Sequence, residues 1–204
     1  MVERPGATEA AAYARERPEL GVGLHVELRR WRVAKLPRRG AGFSTESVTC
    51  HAVEALQRQL ERFVSLVGRS PSHLDSHQHR HTQPLVRPLF EEVAHELNVP
   101  LRRVDPRVRF RGDFYGHDGR GRPEPEAITP AALIDLLEQI EDGVTEVCCH
   151  PGYVDGLHAE WYIEEREQEI QTLCDPRVRE AVRRLGLRLC TFSELALELA
   201  RLRE

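Results

Sequence analysis

The amino-acid sequence predicts an α/β fold built on a largely parallel sheet, and three observations carry that expectation. Apolar residues alternate along the chain between a helical period and a period of two; about five strand-like segments are separated by helix-like ones; and histidine-bearing stretches close three of the strand-like segments. A chain of 204 residues suits one domain spanning 1–204, because two halves would each be too small to hold a secure core.

The elements follow in order. Residues 8–19 (TEAAAYARERPE) read as a helix with Thr8 as N-cap, and 20–28 (LGVGLHVEL) as a strand alternating Val22, Leu24, Val26 and Leu28. Residues 47–67 carry Val53, Leu56, Leu60, Phe63, Val64 and Leu66 at helical spacing. The turn signal GRSPS then leads into a short strand, SHLDS. Residues 83–97 form the next helix, whose regular part can begin at Pro88, followed by a strand at 99–105. Glycine, proline and charge fill 109–126, which reads as a long surface loop without a regular element. Beyond it come a helix at 131–140, a strand at 143–150, helices at 160–173 and 176–185, a strand at 187–192, and a final helix capped by Ser193. The chain opens on a helix with no strand before it, whereas βα architectures bury their first helix against a preceding strand, so a first βα unit is expected to be missing.

Composition excludes several classes. The formal charge is −4 with 30% charged residues of both signs, and 28 of the 29 basic residues are arginine, Lys35 being the lone lysine. That balance argues against a nucleic-acid-coating protein or a polybasic membrane binder, and the stretch RRWRVAKLPRR (29–39) reads as a solvated loop. No apolar run approaches the roughly 20 residues that span a bilayer and the N-terminus is polar, so a cytoplasmic protein is expected. Five cysteines without a C-x-x-C pair are expected to be reduced and mostly buried.

Chemistry concentrates in HLDSHQHRH, residues 73–81. Counted in steps of two, His73, Asp75, His77, His79 and His81 would share one face of an extended chain while Leu74 and Ser76 point the other way. His25 lies near the end of one strand and His150 closes another before Pro151 and Gly152. Taken singly, His25 could be a packed residue and His150 a turn residue. Taken together, two imidazoles with a carboxylate and an open position make a catalytic divalent-metal site, and a third imidazole is left for proton transfer. Histidines 73, 79 and 81 could orient ligands or bind substrate, while His51, His95, His117 and His158 read as surface residues. Trp31, Phe114, Tyr115, Tyr153 and Trp161 offer aromatic surface for sugar rings, and Asp155 could bind hydroxyls.

The segments GLHVEL, GRSPSHLDSHQHRH and EVCCHPGYVD, in this order, resemble the YdjC-like family of carbohydrate deacetylases over essentially the whole chain. The resemblance implies a distorted (β/α) TIM-like barrel and metal-dependent removal of acetyl groups from N-acetylated sugars such as chitooligosaccharides. It implies His25 and His77 as ligands of a divalent metal, Mg²⁺ or Zn²⁺. His150 matches the histidine that protonates the leaving amine, and Asp75 is a supporting carboxylate. His79, His81, Tyr153 and Asp155 are then the expected substrate contacts. The implied partner is the sugar, with neither nucleic acid nor membrane, and a homodimer is one expectation for its assembly. Family members begin with a strand ending in an Ala-Asp-Asp-Phe-Gly type motif, whose aspartates supply the carboxylate ligand and general base. This sequence lacks that motif, which matches the missing βα unit and implies an N-terminally truncated chain, with a remnant that only binds sugar or metal as the competing expectation.

Overall fold

The computed structural model describes residues 1–28, 45–118, 120–154 and 162–195, the side chains of 45–49 aside. Contacts divide the chain into two compact units, Met1–Asp105 with the C-terminal segment from Cys190, and Pro106–Leu189.

The first unit is built from α1 (Ala7–Glu16), β1 (Leu24–Val26), α2 (Thr45–Val67), β2 (Leu74–Ser76) and α3 (Arg87–Glu96). Strands β1 and β2 pair in parallel with Leu24 opposite Leu74, His25 opposite Asp75 and Val26 opposite Ser76. Leu24, Val26 and Leu74 are wholly buried against Leu56, Phe63, Val86 and Phe90, so the helices cover the apolar face of the pair. On α2 the side chain of Gln59, also wholly buried, accepts from the Glu27 amide at 2.9 Å and donates to the Glu27 carbonyl at 3.0 Å. It thereby satisfies, just past the end of β1, backbone groups that burial would otherwise leave unpaired. Gly68, at φ 77, ends α2 in the left-handed conformation and returns its amide to the Val64 carbonyl at 2.8 Å.

The second unit contains β3 (Val108–Arg111), α4 (Pro130–Glu138), β4 (Val144–Val147), α5 (Glu164–Leu173) and α6 (Pro176–Arg184). Strands β3 and β4 are parallel, Val108 facing Val144 and Arg111 facing Val147. Their connection runs through α4, started by Thr129, whose hydroxyl accepts from the Ala132 amide, with Pro130 at the first helical position. Phe114, Ile128, Leu133, Leu136 and Val178 form the core of this unit.

Several expectations are corrected. Residues 109–126 do hold a regular element, since Val108–Arg111 finds a parallel partner in β4 and tertiary pairing overrides the local glycine and proline signal. The strand expected at 99–105 shrinks to one bridge between Leu101 and Leu74, and 187–192 is not a strand. Gly6, not Thr8, is the N-cap of α1. The helical turn at 192–195 is capped by Thr191, whose hydroxyl accepts from the Glu194 amide while the Glu194 carboxylate takes the Thr191 amide at 2.6 Å. That reciprocal capping box outcompetes Ser193. All five thiols are free, as expected, but only Cys148 is buried. The four named strands among the described residues form two pairs, so the expected five strands are not matched there, and no closed barrel is drawn by them. No described helix is long and apolar enough to cross a membrane.

Candidate functional site

Two polar centres lie at the carboxyl ends of the strands, one in each unit. In the first, the β1–β2 register sets His25 directly beside Asp75, and the His25 Nδ1 lies 2.8 Å from Asp75 Oδ1. An ionised carboxylate only accepts hydrogen bonds, so Nδ1 donates to it and, in the neutral ring, Nε2 keeps its lone pair for another partner. The other oxygen of Asp75 accepts from Arg102 Nη1 at 2.6 Å. Asp75 is only 2% exposed. Burial pushes its carboxyl up, but the hydrogen bond from His25 and the charges of His25 and Arg102 outweigh it, bringing the group from 3.8 down to about 2.

His77, the first residue past β2, is exposed, and its ring meets that of His25 edge-on, 5.8 Å between centroids at 78°. Two imidazoles that each reach a common cation at about 2.0–2.1 Å have ring centres roughly 5–6 Å apart, so this pair fits two arms of a divalent-metal site. Asp75 holds the first arm as a carboxylate behind a metal-binding histidine does. Among the described residues no group of three or more His, Cys, Asp or Glu side chains gathers as a metal site, so the fit extends to two ligands and not to the carboxylate that would complete them.

The other histidines of the motif separate. The period of two stops at Ser76: residues His77–Thr82 turn in a 3-10 segment with Gln78 at φ 55 and His79 at φ 50. His81 is thereby folded back into the core with no exposure, its Nδ1 3.0 Å from the Ser76 hydroxyl and its Nε2 2.9 Å from the Arg102 carbonyl. Both ring nitrogens are engaged and no face is open, so the expected sugar contact at His81 gives way to a role in holding this turn. His73 packs on Phe192 at 4.3 Å and so closely on Gly23 that a β-carbon there would lie 2.3 Å from its Nε2. Burial lowers His73 to about 4, and burial with the neighbouring charge of Arg103 lowers His79 to about 4. Burial, then His25, lowers His77 as well.

The second centre surrounds His150. Its ring lies 5.4 Å from that of Tyr115 and 5.8 Å from that of Tyr162, and the two tyrosines stack at 4.6 Å and 11°. Tyr162, 4% exposed and at φ 59, donates its hydroxyl to Glu169 and accepts the Gly116 amide at 3.0 Å. Glu169 also takes the His150 amide, and Arg166 donates to the His150 carbonyl at 3.2 Å. His117 is buried, not on the surface as expected, with Nε2 2.8 Å from Glu165. Phe114 is core, 1% exposed, and Tyr153 stands 76% exposed. Trp31, Asp155, His158, Trp161 and the basic stretch 29–39 lie outside the described residues.

Sequence reasoning missed Tyr162, Arg166 and Glu169. The one available signal was α5 itself: its buried residues are Glu169 and Thr172, so this helix turns a polar face inward.

Parallel strand pairs, with His25 beside the buried carboxylate of Asp75 in one unit and His150 just past β4 in the other, make this an α/β protein with a polar cluster in each unit. The fold matches the crystal structure of an Enterococcus faecalis V583 protein described as a cellobiose-phosphate cleavage protein, with a TM-score of 0.71 at 22% identity, covering 96% of this chain and 85% of that one. A family model described as YdjC-like protein matches residues 1–184, and the chain belongs to that family. It is 34% identical to a carbohydrate deacetylase of Geobacillus stearothermophilus over 95% of this chain and 84% of that protein. A chitooligosaccharide deacetylase of Serratia marcescens is 31% identical over 96% and 86%.

Proposed function

We propose that the protein hydrolyses the acetamido group of an N-acetylated carbohydrate, of which a chitooligosaccharide is the leading candidate, in a reaction that depends on a divalent ion, Mg²⁺ or Zn²⁺, held by His25 and His77. The observation that carries this reading is the edge-on pair of imidazoles, 5.8 Å between ring centroids, with Nδ1 of His25 engaged by Asp75. Relatives named as carbohydrate and chitooligosaccharide deacetylases support the choice of reaction. When bound, the ion supplies Lewis-acid polarisation of the acetyl carbonyl.

The chain's own residues do the rest. Asp75 keeps the proton of His25 on Nδ1, so that Nε2 faces outward as a ligand. As water forms the new C–O bond at the acetyl carbon, His150 gives its ring proton to the sugar nitrogen and the C–N bond breaks, so that the acetyl group departs as acetate and the sugar keeps a free amine. Of the two water protons one restores His150 and one is released, and the proton transfer is worth roughly 10²- to 10⁴-fold. His79, Tyr153 and Asp155 are the proposed sugar contacts, and a distorted (β/α) barrel remains the expected setting.

The deciding experiment measures acetate released from N-acetylglucosamine oligomers with and without added Mg²⁺ or Zn²⁺, for the chain and for His77→Ala and His150→Ala. Metal-stimulated release that both substitutions abolish is the expected result. Release indifferent to metal and to His77→Ala refutes the reading. A non-catalytic binder of sugar or metal is the competing reading, favoured by the lack of a third ligand among the described residues. Saturable sugar binding without acetate release selects it.

A further inference from the structure

Glu169 is a buried acid that the reaction above does not use. It has no exposure, burial raises its carboxyl, and it lies on α5, two turns from Tyr162. Its two oxygens accept from different segments: Oε2 from the backbone amide of His150 and Oε1 from the hydroxyl of Tyr162, whose oxygen in turn accepts the amide of Gly116. One turn back on the same helix, Arg166 reaches the carbonyl of His150 with Nη1 and the carbonyl of Tyr162 with Nε. Both backbone polar groups of His150 are therefore held by side chains of one helix, at the point where β4 has ended and the ladder no longer supplies partners. Tyr115, next to Gly116, stacks on Tyr162 and meets His150 edge-on, so the same network fixes the aromatic walls around the imidazole. Tyr162 keeps a left-handed backbone without being glycine, a conformation that persists only where the surroundings over-determine it.

We propose that Glu169 and Arg166 are the positioning residues of the reaction: together they clamp the peptide of His150 from α5 and, through Tyr162 and Gly116, hold its imidazole against Tyr115. The proposal rests on the reading in which His150 handles the proton, and it adds which residues hold it in place. A proton donor displaced by about an ångström loses on the order of a hundredfold in rate, which gives the clamp a kinetic consequence beyond stability.

The test uses the full chain with labelled histidine. The His150 ring-proton resonance is assigned by its loss in His150→Gln. Held beside two tyrosine rings, this resonance is displaced from its random-coil position by their ring currents. Glu169→Leu, which offers no acceptor, and Arg166→Met, which keeps the stem on a partly exposed residue, are expected to move it toward random coil. They are expected to lower kcat by about tenfold or more with KM within about twofold. Glu169→Gln retains an acceptor for the His150 amide and is expected to restore the resonance and most of kcat. Should Glu169→Leu not fold, Arg166→Met carries the test. An unmoved His150 resonance in a folded Glu169→Leu or Arg166→Met protein overturns the proposal, even if melting temperature falls, because a purely structural role would leave it in place. So does a Glu169→Gln protein as impaired as Glu169→Leu, since charge and not clamping would then be the cause. If the unaltered chain releases no acetate, the deacetylase reading fails, whereas the resonance still decides whether the clamp exists.

Discussion

Replacing Asp75 by Asn tests the first centre at its most constrained atom pair. The carboxylate is 2% exposed and accepts from His25 on one oxygen and Arg102 on the other. Its depression from 3.8 to about 2 means that the folded state favours the ionised form by about 2–3 kcal/mol. The sign follows from proton uptake: between these two values the unfolded chain binds the proton more readily, so this stability is full above pH 3.8 and lost as pH falls to about 2. Asn removes the carboxylate charge that faces Arg102, 18% exposed, and breaking a largely buried pair costs about 3–5 kcal/mol. The expected loss at pH 7 is therefore about 2–5 kcal/mol, read from urea unfolding at fixed slope. A functional effect accompanies it. If the Asn oxygen stays on Arg102, its amide nitrogen faces His25 Nδ1, which must then accept, so the proton moves to Nε2 and the outward lone pair is gone. Calorimetric titration with Zn²⁺ is expected to show affinity reduced by at least about tenfold. A variant within about 1 kcal/mol of the parent, binding Zn²⁺ as well as the parent does, would falsify both the pairing and the tautomer argument.

Other consequences follow from the same geometry. Gly23→Ala places a β-carbon 2.3 Å from the His73 ring and is expected to cost about 1–3 kcal/mol by thermal unfolding; a neutral result means the ring can leave that position freely. His81→Phe leaves the Ser76 hydroxyl and Arg102 carbonyl short of a buried partner and is expected to destabilise by about 2–4 kcal/mol, whereas a sugar-contact role would instead raise KM at unchanged stability. His73, held near 4 by burial, contributes a pH dependence of the same sign as Asp75 in a higher window: the unfolded chain takes up its proton from about 6.5 downward, so stability falls as pH drops from 6.5 to 4 and is flat below. That leg is expected to shrink in His73→Phe, and a denaturation series between pH 7 and pH 4 that is parallel for the two proteins removes His73 as its source.

Much of the arrangement was legible because it rests on local rules. Period-two alternation around Leu24 and Val26, and the short apolar core of SHLDS, located β1 and β2, and the strand expected at 143–150 is observed as β4, Val144–Val147, which ends short of Pro151. What stayed hidden depends on partners distant in sequence. Val108–Arg111 is a strand because Val144–Val147 lies beside it, a fact no local glycine or proline count contains. His117 is buried with its Nε2 hydrogen-bonded to the Glu165 carboxylate, 48 residues away, and Glu169 shows its place only once Tyr162 and His150 are folded against it. The histidine motif was located by density, but density could not show that His81 folds inward, since the extended period it presumes ends at Ser76.

Register explains why fold and candidate site are one physical object. In a parallel pair a slip of one residue exchanges the two faces of a strand, so moving β1 by one against β2 would set Leu24 or Val26 beside Asp75 and drive His25 into the apolar layer. Leu24, Val26 and Leu74, all without exposure, oppose that slip by hydrophobic burial worth about 1.5–3 kcal/mol per side chain. Gln59 opposes it again by bonding both backbone groups of Glu27 from α2. The polar contact between His25 and Asp75 is thus set by the apolar residues that flank them in the register. The 3-10 turn after β2 then serves two ends: His81 fastens it to Ser76 and Arg102, and the fastened turn leaves His77 standing beside His25. One histidine is spent on structure so that its neighbour four residues back can face solvent in a fixed place.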